Sequence, residues 1–207
     1  MIAVDPKHPD PARIREAAGR VAEGGLAVFP TTCLYGLGAD IFRPEALDRV
    51  FLAKRRPRNQ PVSMLIRSPG ELFSYAACVP PAARRLINSF WPGNVTLVFA
   101  AAGTVPQALA ANTGKIGIRV PAQPAAAALL NYLEHPITAT SANQAGQPGC
   151  ADISGLSPEL CIHTAVILDA GPLAGGKGST VVDVTTDPPR VLREGAVSAA
   201  RIRECLG

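Results

Sequence analysis

The sequence predicts an α/β or mixed α+β domain, a sheet with helices packed on it, over residues 1–207. Segments with helical periodicity alternate along the whole chain with short apolar segments rich in β-branched residues. The 19 glycines and 20 prolines are spread throughout, which is typical of short elements joined by tight turns. No internal repeat or linker divides the chain, so we expect a single domain.

The helices are predicted from capping residues and apolar spacing. The first begins after Asp10, a capping residue, with Pro11 in its first turn, and ends at Gly24-Gly25. Ile14, Ala17, Ala18 and Val21 place its apolar side chains on one face. The other predicted helices begin at Pro44, contain residues 83–87, and span 125–133 and 198–205.

The strands are predicted from short apolar segments bounded by turn residues. They lie at 26–29, 62–66, 95–99, 116–120, 137–140, 166–169, 181–184 and 191–193.

Composition limits the kind of protein. A hydrophobic fraction of 47% and a charged fraction of 17% suit a packed core rather than a disordered chain. The five cysteines form no CxxC pair and are odd in number, which argues against a disulfide framework or a zinc site and favours a reducing compartment. The sequence has no signal-peptide pattern and no apolar run long enough for a bilayer, so we expect a cytoplasmic protein without a membrane partner. The net charge of +4 permits an anionic partner but does not require one.

The first candidate site is a predicted loop at residues 30–38, which follows a predicted buried strand and carries hydroxyls and glycines. Loops at the carboxyl ends of strands commonly form ligand sites. The alternative is an ordinary turn after a strand, and on the sequence alone that alternative is slightly favoured.

The second candidate is the basic cluster Lys54-Arg55-Arg56-Pro57-Arg58. Arginine forks and a lysine ammonium can hold a polyphosphate. A solvated surface is the commoner fate of a charge run. The position of this cluster between a helix and a strand favours a site.

The third candidate, Thr138 to Asn143 followed by Gly146, ends a strand in small hydroxyl and amide side chains. Such residues let a ligand approach the backbone, although a helix cap is an equal alternative. Residues 171–178 read G-x4-G-K, but Gly178 stands where a Walker loop needs Ser or Thr, and a strand rather than a helix follows. We therefore reject a Walker loop, while Ser179 and Thr180 remain candidates to line a site.

Seven motifs in order, from about residue 12 to residue 196, resemble the YrdC/TsaC family of L-threonylcarbamoyl-adenylate synthases. They are Pro30-Thr31-x-x-Leu34-Tyr35-Gly36-Leu37, Lys54-Arg55-Arg56-Pro57, Trp91-Pro92-Gly93-Asn94-Val95-Thr96, Arg119-Val120-Pro121, Ser141-Ala142-Asn143, Ser179-Thr180-Val181-Val182-Asp183 and Leu192-Arg193-Glu194-Gly195. The resemblance implies a twisted, largely open sheet with a positively charged concave face. It also implies that L-threonine, bicarbonate and ATP react to give threonylcarbamoyl-AMP and pyrophosphate. A separate transferase complex then passes the threonylcarbamoyl group to the adenosine beside the tRNA anticodon.

The same resemblance carries a hypothesis for the site. Lys54, Arg58 and Arg193 would contact the ATP phosphates, and Ser141 and Asn143 the nucleotide or the intermediate. Threonine would be held by Thr31, Arg56, Arg119 and Ser179. Lys54, Arg56, Ser141 and Asn143 would form the catalytic set. Mg²⁺ would arrive with ATP, because no acidic metal cluster stands out.

The chain departs from the family pattern at two points. The family motif P-T-D/E-T is replaced by Pro30-Thr31-Thr32-Cys33, which leaves the amino-acid specificity open. The C-terminal extension of longer members is absent, so we expect the short form. Two alternatives stay open: an RNA-binding module that uses the basic cluster, for instance in ribosome maturation, and a related domain that handles carbamoyl groups from carbamoyl phosphate.

Overall fold

A ten-stranded mixed sheet runs through the computed structural model, which describes residues 1–207. The strand order is β1-β8-β2-β3-β7-β4-β6-β5-β9-β10. The strands are β1 Ile2–Ala3, β2 Leu26–Pro30, β3 Tyr35–Gly38, β4 Ser63–Leu65, β5 Val95–Ala100, β6 Lys115–Arg119, β7 Ile137–Ser141, β8 Thr164–Asp169, β9 Thr180–Asp183 and β10 Arg190–Arg193. Every predicted strand is present, and the mixed α/β class is confirmed.

Seven α-helices pack on this sheet. They are α1 Pro11–Ala22, α2 Pro44–Ala53, α3 Pro81–Phe90, α4 Gln107–Ala110, α5 Pro124–Asn131, α6 Pro158–His163 and α7 Ala199–Leu206. The predicted caps are confirmed, because the side chains of Asp10 and Ser198 accept hydrogen bonds from backbone N–H groups at the starts of α1 and α7. None of these helices is long and apolar enough to cross a bilayer.

The prediction of a loop over residues 30–38 is wrong in its second half. Only the turn from Thr31 to Leu34 is irregular, and residues 35–38 form β3, antiparallel to β2. Gly36 lies opposite Phe29, and a Cβ added there would approach the Phe29 ring to 2.9 Å. The glycines that suggested a loop are therefore required by the packing of an aromatic ring on a strand.

The core is divided among three apolar clusters under the helices. One cluster is covered by α3 and α7, a second by α1 and α5, and the third by α2 and α6. The sequence reasoning missed the short elements β1, α4 and α6. Each has six residues or fewer, which is too short for a periodic pattern to be recognised.

Candidate functional site

A cleft of about 810 Å³ lies over the central strands of the sheet. It collects side chains from segments that are far apart in the sequence, because β7, β4, β6, β5 and β9 are neighbours in the sheet. Six of the nine predicted site residues line it: Thr31, Arg56, Arg119, Ser141, Ser179 and Arg193. The charged lining side chains are four cations and one carboxylate, so the cleft is suited to an anion.

Arg119 is the most deeply placed cation of the cleft. It ends β6, and only 9% of its surface is exposed. Burial lowers the pKa of Arg119 to about 10, the positive charge of Arg193 adds to the lowering, and no carboxylate forms an ion pair with the guanidinium. The guanidinium remains charged at neutral pH. A buried cation without an acidic partner is costly unless a ligand supplies the negative charge.

Arg193 and Ser179 form one wall of the cleft. Arg193 Nη2 donates to the backbone carbonyl of Ser179 at 2.9 Å, and the hydroxyls of Ser179 and Thr96 share a hydrogen bond of 2.8 Å. The parallel pairing of β9 with β5 brings these two hydroxyls together. The wall therefore presents a guanidinium beside a pair of hydroxyls, which suits the oxygens of a phosphate or carboxylate.

Arg56 also lines the cleft. Its guanidinium donates to the backbone carbonyl of Pro61 at 2.8 Å, which fixes it without neutralising it. Burial, and then the positive charge of Arg193, lowers the pKa of Arg56. The two arginines are therefore close enough to repel each other, and an anion between them would relieve that repulsion.

Thr31 closes the turn between β2 and β3. Its hydroxyl donates to the Leu34 carbonyl at 2.5 Å, and the Thr31 N–H donates to the same carbonyl at 3.1 Å. The turn places the Thr31 side chain at the cleft. Its hydroxyl oxygen remains able to accept a further hydrogen bond.

Lys54 and Asn143 do not line the cleft. The Lys54 ammonium is buried, and it donates to the backbone carbonyls of Ser141 and, at 2.6 Å, Asn143. The Asn143 side-chain amide donates to the carbonyls of Gln144 and Gln147 at 2.8 and 2.6 Å. Both residues therefore stabilise the loop after β7 through hydrogen bonds to its backbone carbonyls. The geometry gives no support to the predicted direct contact of Lys54 with phosphates.

Arg58 lies outside the cleft. Its guanidinium pairs with Asp48 at 2.7 Å and lies over the Phe51 ring. Helix α2 ends at Ala53, and Arg55 has a positive φ of 48°, so the chain turns sharply within the basic cluster. That turn sends neighbouring cations in different directions. The predicted contact of Arg58 with phosphates is not supported by this placement.

Lys115 and Asp183 are lining residues that the site prediction missed. Lys115 Nζ lies 2.8 Å from Asp183 Oδ2, across β5. The hydrogen bonds from Lys115 and Thr185 outweigh burial and lower the pKa of Asp183. The position of Lys115 four residues before Arg119 was a usable signal, because alternate residues of a strand share a face.

The G-x4-G-K segment is irregular from residue 170 to residue 179 and leads into β9. The helix that a Walker loop requires is missing, which agrees with the rejection of that motif. Gly176, Gly178 and Ser179 nevertheless line the cleft, so the segment belongs to its wall.

A family model named Sua5/YciO/YrdC and described as "Telomere recombination" matches residues 20–195. The chain belongs to this family. Its sequence is 40% identical over 194 residues to the putative threonylcarbamoyl-AMP synthase of Mycobacterium tuberculosis, covering 94% of this chain and 89% of that protein. It is 36% identical to the threonylcarbamoyl-AMP synthase of Pyrococcus abyssi, covering 94% of this chain and 57% of the relative. The family and the enzyme class predicted from the motifs are confirmed.

Solved structures of family members agree with this fold. Pyrococcus abyssi Sua5 in complex with L-threonine superposes with a TM-score of 0.94 at 34% identity, over 100% of this chain and 61% of that chain. Escherichia coli YciO, whose curated name is "uncharacterized protein", superposes with a TM-score of 0.87 at 32% identity, over 97% of both chains. This chain therefore spans nearly all of YciO and less than two thirds of the Pyrococcus protein.

Proposed function

We propose that this protein makes L-threonylcarbamoyl-AMP from L-threonine, bicarbonate and ATP, with release of pyrophosphate. The observation that carries the proposal is Arg119, a buried guanidinium without a carboxylate partner that faces a cleft containing two more arginines. The names of the relatives, and the bound threonine in the Pyrococcus Sua5 structure, support the identity of the substrates.

The arrangement suits nucleotidyl transfer. Bicarbonate first carboxylates the amino group of threonine with loss of water. An oxygen of the resulting carbamate then attacks the α-phosphorus of ATP, a new P–O bond forms, and the bond to pyrophosphate breaks. Such a step depends on alignment and charge neutralisation rather than on a protein nucleophile. The cleft offers arginines and hydroxyls in these roles.

We assign the threonine carboxylate to Arg119, with Thr31 and Ser179 holding the polar groups of the amino acid. Arg193 fits the phosphates that join the amino acid to the nucleotide. We move Arg56 from the threonine, where the motif hypothesis had it, to the same phosphates, because its charge is close enough to that of Arg193 to repel it. Ser141, at the end of β7, supplies a hydroxyl on the same surface. Lys54 and Asn143 would support that surface by fixing the loop behind it.

Mg²⁺ enters this scheme as part of the MgATP substrate. The one carboxylate among the lining residues, Asp183, is paired with Lys115. The protein would therefore contribute cations and hydroxyls around a metal that the triphosphate itself holds.

We further propose that the product is consumed by a separate transferase complex that modifies tRNA beside the anticodon, and that the protein works in the cytoplasm. Five cysteines without a disulfide support a reducing compartment. Arg55 and Arg58 are each paired with a carboxylate, which makes the basic cluster a poor surface for direct tRNA contact.

The deciding experiment is mass spectrometry of a reaction that contains purified protein, L-threonine, bicarbonate, ATP and Mg²⁺. We expect a species with the mass of threonylcarbamoyl-AMP, together with pyrophosphate that depends on threonine and bicarbonate. Parallel reactions with L-serine or carbamoyl phosphate test the altered Thr32-Cys33 turn and the carbamoyl alternative. Turnover with carbamoyl phosphate alone, or no adenylate with any substrate, would overturn the proposal.

A further inference from the structure

The segment 171–178, which supplies Gly176 and Gly178 to the cleft wall, carries one cation that the proposed reaction has not used. Lys177 lies between Gly176 and Gly178, both of which line the cleft, and two residues before Ser179. Its own side chain is turned outward, and its ammonium faces Glu194, the neighbour of Arg193 in the sequence. Lys177 therefore stands at the mouth of the cleft beside the Arg193 wall.

The present partner of Lys177 holds it weakly. Lys177 Nζ lies 3.7 Å from Glu194 Oε1, and the two side chains are 69% and 47% exposed. The Lys115–Asp183 pair in the same cleft is closer, at 2.8 Å, and its carboxylate is only 9% exposed. An exposed pair at the longer distance contributes little, so a stronger anion can displace Glu194.

The backbone on both sides of Lys177 is held in place by hydrogen bonds. Gly175 N–H donates to the Cys33 carbonyl at 2.9 Å, and the Gly178 carbonyl accepts from Ala196 N–H at 2.8 Å. Gly175 and Gly176 have φ values of 74° and 85°, which a residue with a side chain rarely adopts, so this path of the chain requires glycine. Lys177 can therefore change rotamer without moving the wall.

We propose that Lys177 leaves Glu194 when substrate binds and contacts the pyrophosphate end of the nucleotide. This inference rests on the proposed function. As the bond between the α-phosphorus and the bridging oxygen breaks, its electron pair stays with pyrophosphate, whose negative charge increases. An ammonium at the mouth of the cleft neutralises that charge, while the deeper Arg119 remains with the amino acid.

The direct test is isothermal titration with magnesium pyrophosphate, which needs no turnover. We expect Lys177→Ala to weaken pyrophosphate binding about tenfold, the size of one charge-assisted hydrogen bond. Lys177→Arg should restore most of the affinity. Glu194→Gln should bind pyrophosphate more tightly than the wild type, because it releases the ammonium while keeping an oxygen for the Ala199 N–H.

Lys7→Ala is the matched control, because it removes an exposed lysine from the N-terminal turn. If Lys7→Ala and Lys177→Ala lose equal pyrophosphate affinity, only the net charge of the protein matters and the proposal is overturned. A pyrophosphate affinity of Lys177→Ala within twofold of the wild type would also overturn it. In turnover assays Lys177→Ala should weaken product inhibition by pyrophosphate and leave the KM for threonine unchanged. A wild-type protein that makes no adenylate would refute the proposed function, whereas the titrations would still decide whether Lys177 binds pyrophosphate.

Discussion

Lys54 Nζ donates a 2.6 Å hydrogen bond to the backbone carbonyl of Asn143. The same ammonium donates to the Ser141 carbonyl, and the Lys54 carbonyl accepts from Ala145 N–H at 2.8 Å. The end of α2 and the loop after β7 are thus joined through one residue. The shape of the cleft at Ser141 depends on the charge of a lysine that does not line the cleft.

This dependence predicts an alkaline loss of activity. Burial, and then the positive charge of Arg56, lowers the pKa of Lys54 to about 8. As the pH rises through that value the ammonium loses its charge, and its hydrogen bonds to the Ser141 and Asn143 carbonyls weaken. We expect kcat/KM for ATP to fall with an apparent pKa near 8, measured under conditions in which the other substrates saturate.

Unfolding does not explain such a loss. The folded-state pKa of Lys54 is below its ordinary value of 10.5, so the unfolded chain binds more protons between about pH 8 and 10.5. Over that range this group makes folding more favourable as the pH rises. Thermal unfolding at each pH checks the point, and Lys54→Arg, which stays charged, should lack the alkaline limb. If Lys54→Arg shows the same alkaline loss of activity as the wild type, the loss arises from another titrating group.

Much of the fold follows from local patterns. Helix α1 has a cap, a first-turn proline and four apolar residues at helical spacing, and each of these signals is independent of the rest of the chain. Strand β3 has no such signal, because the glycines of Tyr35-Gly36-Leu37-Gly38 look like a turn. The Phe29 ring across the strand pair, with Ile137 beside Gly38, leaves no room for a Cβ, and those contacts are not visible in a linear sequence.

The site residues likewise divide into those that the sequence could predict and those that it could not. Arg119 and Ser179 could be predicted because motif order identifies them and strand pairing brings them to one surface. The directions of Lys54 and Arg58 could not, because the chain turns at Arg55, where φ is positive. A basic cluster in a sequence does not tell which of its members faces a ligand, the loop behind it or solvent.

Arg58→Ala should therefore have little effect. Its pair with Asp48 is exposed on both sides, and such a pair contributes about 0–1 kcal/mol to stability. We expect the KM for ATP to stay within twofold of the wild type and the free energy of unfolding to change by less than about 1 kcal/mol.

Arg193→Ala is the comparison, because Arg193 lines the cleft. It should raise the KM for ATP about tenfold or more, as expected for the loss of a charge-assisted hydrogen bond. If Arg58→Ala and Arg193→Ala raise the KM for ATP equally, Arg58 also contacts the phosphates.

Gly195→Ala tests the packing of the cleft wall. A Cβ at Gly195 would approach the Gly178 carbonyl oxygen to 2.2 Å and the Ser179 carbonyl carbon to 2.4 Å, and these backbone atoms cannot rotate away. We expect a loss of about 1–3 kcal/mol in the free energy of unfolding, from overpacking, and a higher KM for threonine because Ser179 moves. Gly103→Ala is the control, since a Cβ there meets nothing within 4 Å. Denaturant titration of both variants measures the difference, and a Gly195→Ala protein as stable and active as Gly103→Ala would contradict it.

Arg119→Met separates binding from stability. The wild-type guanidinium is buried without a carboxylate beside it, so its charge opposes folding in the absence of ligand. Methionine keeps much of the apolar volume and removes that charge. We expect the unfolding midpoint to stay the same or rise, while the KM for threonine increases roughly ten- to hundredfold, from the loss of about 1.5–3 kcal/mol in a charge-assisted contact.

Arg20→Met, which removes a surface partner of Glu16, should change neither property appreciably. Differential scanning calorimetry together with threonine titrations measures both effects. A lower unfolding midpoint with unchanged threonine affinity would make Arg119 a structural residue and remove the anchor of the proposed amino-acid site.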